Sequence, residues 1–380
     1  MSKIWFLSLV LVLSIGLLAG CNYEPSPPPF TPSGLFTDLK LEAVIREALG
    51  KSSNEAITSS ELAELTHLDN ISCRVTDLTG IEHCANLTEL HLGAYFLSGP
   101  GLGRTCDIRN LSPLASLTKL TNISITWCFI TDLSPLASLT ELRELKLSQN
   151  EISDISPLDS LHNLRELHLS DNQISDISPL NSLTNLTELT LSGNQIHDLT
   201  PLSSLTNLKE LFLYGNQVRA ISPLTSLTNL TELDLSGNRI GDFAPLASLA
   251  NLKDLRIINV GLQDISQLTS ILASLTNLTK LRLDENEITD ISPLDSLHDL
   301  RELHLPDNKI SNIPSLPHLY ELRTLNLSRN QISDISSLRY LGSFGFDKLR
   351  RVSLSQNPLN STSVEVHIPW LEQRGVSISW

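Results

Sequence analysis

Residues 142–163 read LRELKLSQNEISDISPLDSLHN, and variants of this stretch recur thirteen times along a chain of 380 residues. Its asparagine position recurs mostly with a 22-residue period, at Asn150, Asn172, Asn194, Asn216 and Asn238, and then at Asn286, Asn308, Asn330 and Asn357. In the other copies this position is filled by Cys73, Cys106, Cys128 and Val260. A fixed period of this length predicts a solenoid of stacked repeats, each contributing one strand.

Each repeat carries more apolar residues than it can bury alone. Leu145 and Leu147 alternate with polar residues, which predicts a strand with one buried face. The same repeat has five more apolar positions, at Leu142, Ile152, Ile155, Leu158 and Leu161. Rungs stacked at about 4.8 Å bury all of them in one continuous core. The sequence therefore predicts an α/β repeat solenoid with a parallel sheet.

The segment after each strand has the composition of a turn. The amide of Asn150 can satisfy main-chain groups of its own rung and of the adjacent rung. Ser156 suits an N-cap and Pro157 the first helical position, which predicts a short helical or 3₁₀ turn on the convex side. An aspartate precedes most of these turns, at Asp132, Asp154, Asp176, Asp198, Asp242, Asp264 and Asp290. The glycine-rich calcium-binding repeat is absent, so we expect these carboxylates to form local turn hydrogen bonds.

These repeats resemble the leucine-rich repeats of the internalin family over roughly residues 62–360. The resemblance implies a curved leucine-rich-repeat horseshoe, with the strands on the concave face and protein–protein recognition as its usual role. A solenoid needs caps because its end rungs would otherwise expose the core. A helical N-terminal cap is expected over residues 36–66, the solenoid over 67–357, and a helix–strand C-terminal cap over 358–380. We expect Trp370 and Trp380 to cover the last rung.

The first residues have the pattern of an export signal. Lys3 precedes an apolar stretch, and Leu18-Ala19-Gly20-Cys21 resembles a bacterial lipobox. The resemblance implies that residues 1–20 are removed as a signal peptide and that Cys21 carries lipid. A noncleaved membrane anchor and an ordinary signal peptide with an accidental cysteine are the alternatives. Prolines within residues 21–35 favour an extended tether. We therefore expect a lipid-anchored membrane protein of the bacterial cell envelope, facing the periplasm or the exterior.

The charge balance and the cysteines narrow the possibilities. The net charge is −15. The sequence shows no basic stripe, which argues against nucleic-acid binding and against docking on anionic lipid. Four cysteines besides Cys21 lie in the first rungs, at Cys73, Cys84, Cys106 and Cys128. Parallel Cβ vectors on neighbouring rungs are poor disulfide geometry, so one disulfide involving the adaptable Cys106 and buried free thiols both remain open.

The concave face is predicted to change character in the middle of the repeats. Small or polar side chains such as Thr190 and Ser192 give way to Phe212, Tyr214, Arg256 and Ile258, with Asp234 between them. Exposed aromatics with an arginine are typical of a binding hot spot. His168, also on a strand, joins these candidate partner-binding residues. A second candidate site is the insertion between Leu92 and Cys106, with Tyr95 and Phe96, beside Trp127.

No catalytic constellation is found in the sequence. An acidic column runs along the strands at Glu144, Glu166, Glu188, Glu210, Glu232 and Asp254. We interpret it either as a solvent-exposed surface that repeats because the repeat was duplicated, or as a site that binds a partner through charge. The histidine pairs at six-residue spacing lie on opposite sides of the rungs, so they cannot share a metal. We expect no metal, cofactor or small-molecule substrate. The leading hypothesis is non-catalytic binding of a protein or glycan on the concave face, and the alternative is a structural or self-associating envelope protein.

Overall fold

A computed structural model describes residues 33–71, 75–92, 106–262, 265–341 and 348–380. Cys21, Cys73, Tyr95 and Phe96 lie outside these ranges. The described strands form one parallel sheet whose order follows the sequence. They are β1 His67–Ile71, β2 Glu89–Leu92, β3 Asn122–Ile125, β4 Glu144–Lys146, β5 Glu166–His168, β6 Glu188–Thr190, β7 Glu210–Phe212, β8 Glu232–Asp234, β9 Asp254–Arg256, β10 Lys280–Arg282, β11 Glu302–His304, β12 Thr324–Asn326, β13 Arg351–Ser353 and β14 Ser377–Ser379. The predicted curved leucine-rich-repeat solenoid is confirmed.

Short helical turns close the convex side. The 3₁₀ turns span Ile81–His83, Ser112–Leu114, Ser134–Leu136, Ser156–Leu158, Ser178–Ser182, Thr200–Ser204, Ser222–Ser226, Ala244–Ser248, Ile265–Leu268, Ser292–Ser296 and Ser336–Tyr340. The prediction that Ser156 is the N-cap is wrong, because Ser156 is the first residue of its turn. Asp154 supplies the side-chain bond instead, since its Oδ1 accepts the Ser156 N–H at 2.8 Å. The same bond, at 2.8 Å, forms at Asp132, Asp176, Asp198, Asp242 and Asp290, so the predicted turn role is confirmed, and Asp264 lies outside the described residues.

The core is continuous from rung to rung. The middle residue of every strand from β4 to β12 is a leucine that is at most 1% exposed. The repeat asparagines from Asn150 to Asn330 are buried beside them and join the rungs. Asn172 Nδ2 donates to Leu147 O at 3.1 Å and to Leu169 O at 3.0 Å, and its Oδ1 accepts the Ile152 N–H at 3.0 Å. The predicted asparagine ladder is therefore present.

One rung in the middle of the solenoid is four residues longer than the regular repeat. Asn286 lies two rungs after Asn238, and it comes four positions later than two repeats of the regular period would place it. The extra length lies on the convex side, where a 3₁₀ turn is followed by α3, Thr269–Ser274. The strands on either side stay in register, with Lys280 opposite Asp254. The insertion therefore leaves the concave sheet unbroken.

Helices close the N-terminal end. Helix α1 spans Leu39–Ala48 and α2 spans Ser59–Leu62. Thr58 and Glu61 form a capping box at α2, because each side chain bonds the other residue's backbone N–H. Inside α1, the buried Arg46 and Glu42 form an ion pair at 2.7 Å. Within the described residues, no helix combines the length and the apolar character that crossing a bilayer requires.

The C-terminal end is closed by a helix and a strand, as predicted. A π-helical turn at Ser363–His367 leads into α4, Ile368–Glu372, and β14 completes the sheet. Trp370 is partly buried against the core, and the Arg374 guanidinium lies 3.7 Å from its ring centroid. Trp380 is 59% exposed. The prediction that both tryptophans cover the last rung is therefore wrong for Trp380, which lies beyond the end of β14.

The cysteines of neighbouring rungs form a disulfide. Cys106 and Cys128 are bonded, with their Cα atoms 4.6 Å apart. Of the two alternatives left open by the sequence, the structure has the disulfide. The pair joins equivalent positions of adjacent rungs. The expectation that parallel Cβ vectors disfavour such a disulfide is therefore wrong for this pair. Cys84 is a buried free thiol, and burial raises its pKa to about 12.

Candidate binding surface on the concave face

Each three-residue strand from β4 to β13 presents its first and third residues on the concave face and buries the middle one. The first positions of β4 to β9 form the acidic column. The third positions line up as Lys146, His168, Thr190, Phe212, Asp234, Arg256, Arg282, His304, Asn326 and Ser353. Because the strands are hydrogen-bonded in register, side chains one repeat apart in the sequence become neighbours. The chemistry of the face is therefore set by columns across the rungs.

Phe212 and Arg256 contact each other across β8. The Arg256 guanidinium carbon lies 5.7 Å from the Phe212 ring centroid, within the range of a cation–π interaction. Arg256 Nη2 also lies 2.9 Å from Asp254 Oδ2 and 3.9 Å from Glu232 Oε2. The hydrogen bond that Arg256 donates to Asp254 is the largest factor that raises the pKa of Arg256. Asp254 and Glu232 of the acidic column thus hold the Arg256 guanidinium near the Phe212 ring.

The structure brings the five central candidate residues onto three neighbouring rungs. We call Phe212, Tyr214, Asp234, Arg256 and Ile258 the concave patch. Tyr214, just after β7, is 55% exposed, whereas the other four are partly buried. The buried Ser236 lies between the rungs of Tyr214 and Ile258, and its Oγ accepts the Ile258 N–H at 3.0 Å. The concave patch therefore exposes the Tyr214 side chain, while its other four side chains are partly buried.

Trp127 does not join the concave patch. It lies in the turn after β3, is 42% exposed, and has a positive φ of 61°. It occupies the position in its rung that Gly215 occupies four rungs later, which places it about 19 Å from the concave patch. Its predicted neighbours Tyr95 and Phe96 lie outside the described residues. Of the second candidate surface, the structure therefore describes Trp127, which lies apart from the concave patch.

His168 lies two strands from Phe212, with Thr190 between them. Its Nε2 atom is buried, 3.7 Å from Glu188 Oε1. Glu166, His168 and Glu188 each place one ligand atom within 4.8 Å of the others. The sequence considerations of histidine pairs and of the aspartate column did not predict this mixed group. The signal was available, because period-2 alternation places Glu166 and His168 on one face and the 22-residue period places Glu188 beside Glu166.

Carboxylates of like charge face one another in the middle of the acidic column. Glu188 faces Glu166 on one side and Glu210 on the other. Partial burial, and then the charge of neighbouring glutamates, raises the pKa of Glu188 and of Glu210. Lys146 forms an ion pair with Glu144 at the start of the column. The column can attract a basic group or a cation.

The statement that the chain has no basic stripe is wrong for one edge of the solenoid. Exposed cations occupy the position just before the strand at Arg143, Arg165, Lys209, Lys253, Arg301, Arg323 and Arg350. Backbone bonds connect this column from rung to rung, as between Arg165 N and Arg143 O at 2.8 Å. Sequence inspection missed it because successive members are separated by at least one full repeat. Most of these cations are followed directly by a carboxylate, which is the first residue of the strand and largely offsets the positive charge. The absence of nucleic-acid binding stays a prediction.

The comparisons identify the class of protein. A family model described as leucine-rich repeats in two copies matches residues 140–182, 162–204, 184–226, 206–248, 228–274, 276–318 and 298–340. Together these matches span more than half of the chain, which belongs to the leucine-rich-repeat family. Proteins of this family use their extended concave surface as a protein-binding scaffold, typically without catalysis.

The solved structures narrow the class to internalin-like proteins. An internalin, inlF, from Listeria monocytogenes is 34% identical, with a TM-score of 0.78, and the match covers 91% of this chain and 96% of that chain. Internalin C2 from the same organism is 37% identical, with a TM-score of 0.55, over 59% of this chain and 95% of that chain. A leucine-rich-repeat protein from Leptospira interrogans, at 22% identity and a TM-score of 0.62, covers 85% of this chain and 97% of that chain and shares the fold. No curated protein sequence matches this chain.

Proposed function

We propose that this chain is a lipid-anchored protein of the bacterial cell envelope that binds a protein partner through the concave patch and catalyses no reaction. The observation that carries the proposal is the exposed Tyr214 beside the Phe212–Arg256 contact, 5.7 Å between guanidinium carbon and ring centroid. Tyrosine and arginine are the residue types that most often dominate binding energy at protein interfaces. In the rung just before, the equivalent positions hold the small residues Thr190 and Ser192.

The location rests on the sequence before residue 33. The lipobox-like Leu18-Ala19-Gly20-Cys21 supports lipid attachment at Cys21. Each buried acyl methylene contributes about 0.8 kcal/mol, so two or three chains would hold the protein firmly in a membrane. The proline-rich segment would then separate the solenoid from the bilayer and leave its concave face accessible.

A cross-linking pull-down from intact cells tests this function. The bait is the full chain, compared with the double variant Phe212→Ala/Tyr214→Ala and with Asp159→Ala, which changes an exposed residue of the convex side. We expect wild type and Asp159→Ala to retain the same distinct protein. Loss of Tyr214 alone should weaken binding by at least about 2 kcal/mol, mainly through faster dissociation.

Other outcomes would contradict the proposal in different ways. Retention of further copies of this chain alone supports a structural or self-associating role. Retention of a glycan in place of a protein changes the ligand class. Full binding by the double variant, with its fold verified by circular dichroism, would exclude the concave patch and favour the insertion between Leu92 and Cys106.

A further inference from the structure

Three potential metal ligands meet on the concave face, two rungs before Phe212. Glu166 and His168 are the first and third residues of β5, and Glu188 is the first residue of β6. Their ligand atoms all lie within 4.8 Å of one another. Among the residues that the structure describes, this is the one group of three histidine, cysteine or acidic side chains close enough to share an ion.

The separation of these atoms suits a small divalent ion. Zinc binds imidazole nitrogen and carboxylate oxygen at about 2.0–2.2 Å, so two ligands of a tetrahedral ion lie roughly 3.4 Å apart. His168 Nε2 and Glu188 Oε1 are 3.7 Å apart. Small side-chain rotations would bring both atoms to bonding distance, while the hydrogen-bonded strands hold the three Cα atoms in place.

His168 is oriented for such a role and has an unsatisfied atom. Its Nδ1 lies 3.4 Å from Thr190 Oγ1, which in turn accepts a hydrogen bond from Ser170 Oγ at 3.1 Å. Its Nε2 is buried and has no hydrogen-bond partner. Buried polar atoms are rarely left unsatisfied, so an atom of this kind needs a physical explanation. A second polar group on the far ring nitrogen is the usual way in which proteins orient a metal-binding histidine.

The charges around the group also favour a cation. Glu188 faces Glu166 across the paired strands, and a bound cation would offset the repulsion between the two carboxylates. Lys146, opposite His168 on β4, is the nearby opposing charge, and it is ion-paired with Glu144. Glu210 on β7 adds a further carboxylate beside Glu188.

We propose that Glu166, His168 and Glu188 bind one divalent transition-metal ion of the Zn²⁺ class, through His168 Nε2 and one oxygen of each carboxylate. An imidazole with two carboxylates suits such ions better than Ca²⁺ or Mg²⁺, which prefer oxygen ligands alone. Three protein ligands leave at least one coordination position open. That position faces the concave space, where a water molecule or a carboxylate or imidazole of a partner can complete the coordination.

Titration of the metal-stripped full chain with Zn²⁺, followed by calorimetry and without a histidine tag, tests the site. Wild type should bind one equivalent of Zn²⁺. His168→Gln and Glu188→Gln should each weaken this binding by at least about tenfold. The matched control is His304→Gln. Glu302 and His304 repeat the same pair on β11, but Thr324 stands where the site has Glu188. We expect this variant to bind Zn²⁺ as wild type does.

Two further measurements keep the outcomes distinct. Co²⁺ should give a visible absorption band in wild type and His304→Gln that is missing in His168→Gln, and excess Mg²⁺ should not remove it. Denaturant curves without metal show whether the variants still fold. Absence of a Zn²⁺ equivalent, or equal binding by His168→Gln and wild type, would overturn the proposal. Because no partner is present, these results are independent of the proposed function.

Discussion

Asn194 Oδ1 accepts the backbone N–H of Ile174, in the preceding rung, at 3.0 Å. The Nδ2 of the same side chain donates to Leu169 O and to Leu191 O, each at 3.0 Å. One buried amide therefore satisfies main-chain groups of two rungs in a place where the turn leaves them without strand partners. This bonding recurs along the repeats and joins each turn to the one before it.

Replacing Asn194 by alanine should destabilise the solenoid strongly. The change leaves the buried N–H of Ile174 without a partner, at about 1–3 kcal/mol. It also removes one of two amide donors from Leu169 O and from Leu191 O, which keep their bonds to Asn172 and Asn216. Glu210→Gln, on the concave face of the next rung, should stay within about 0.5 kcal/mol of wild type. Chemical denaturation compares the two midpoints. Equal midpoints would show that the asparagine amides do not hold the rungs together.

The folded protein should lose stability as the pH rises and Asp284 loses its proton. Burial raises the pKa of its carboxyl from 3.8 to about 6, against the attraction of Arg282, and its Oδ1 has no hydrogen-bond partner. The folded chain thus holds this proton more tightly than the unfolded chain. Its contribution is most favourable below the unfolded pKa of 3.8, declines as the pH rises to about 6, and is constant above that.

Asp284→Asn should consequently stabilise the protein at pH 7 by about 1 kcal/mol, after allowance for solvent screening. At pH 3.5 the variant and wild type should be nearly equal, because both side chains are then neutral. Denaturant curves across this range measure the difference, with the exposed Asp159→Asn as control. A destabilised Asp284→Asn variant at pH 7 would mean that Asp284 has a favourable ionic partner.

Loss of the Cys106–Cys128 disulfide should destabilise the N-terminal rungs. The bond closes a loop with a sequence separation of 22 residues, and removing a disulfide of this size costs about 2–4 kcal/mol. The double variant Cys106→Ser/Cys128→Ser should unfold at lower denaturant than wild type, and a reducing agent should lower only the wild-type midpoint. If the reducing agent leaves wild type unaffected, the bond does not contribute to stability.

Cys21 should be the lipid-bearing first residue of the mature protein. Metabolic labelling with a tagged fatty acid should mark wild type, whereas Cys21→Ala should carry no label and should leave the membrane fraction. Mass spectrometry of the mature N-terminus should find no peptide containing Met1. Equal labelling of both proteins would leave the noncleaved anchor and the ordinary signal peptide as the remaining interpretations.

The sequence alone determined the architecture because the core is one-dimensional. In a solenoid each rung contacts only its neighbours, so the 22-residue period and the alternation around Leu145 and Leu147 suffice to predict the parallel sheet, the buried face and the asparagine ladder. The same reasoning placed Phe212, Tyr214, Arg256 and Ile258 on one surface. It could not identify the residue that caps each turn, because Asp154 and Ser156 both have suitable side chains.

Only the tertiary structure decided which side chains of different rungs meet at bonding distance. The approach of His168 Nε2 to Glu188, the position of Arg256 over Phe212 and the Cys106–Cys128 disulfide each depend on rotamers and on small offsets between rungs. Periodicity specifies that two residues are neighbours, whereas contact depends on how far each side chain reaches and on what packs beside it.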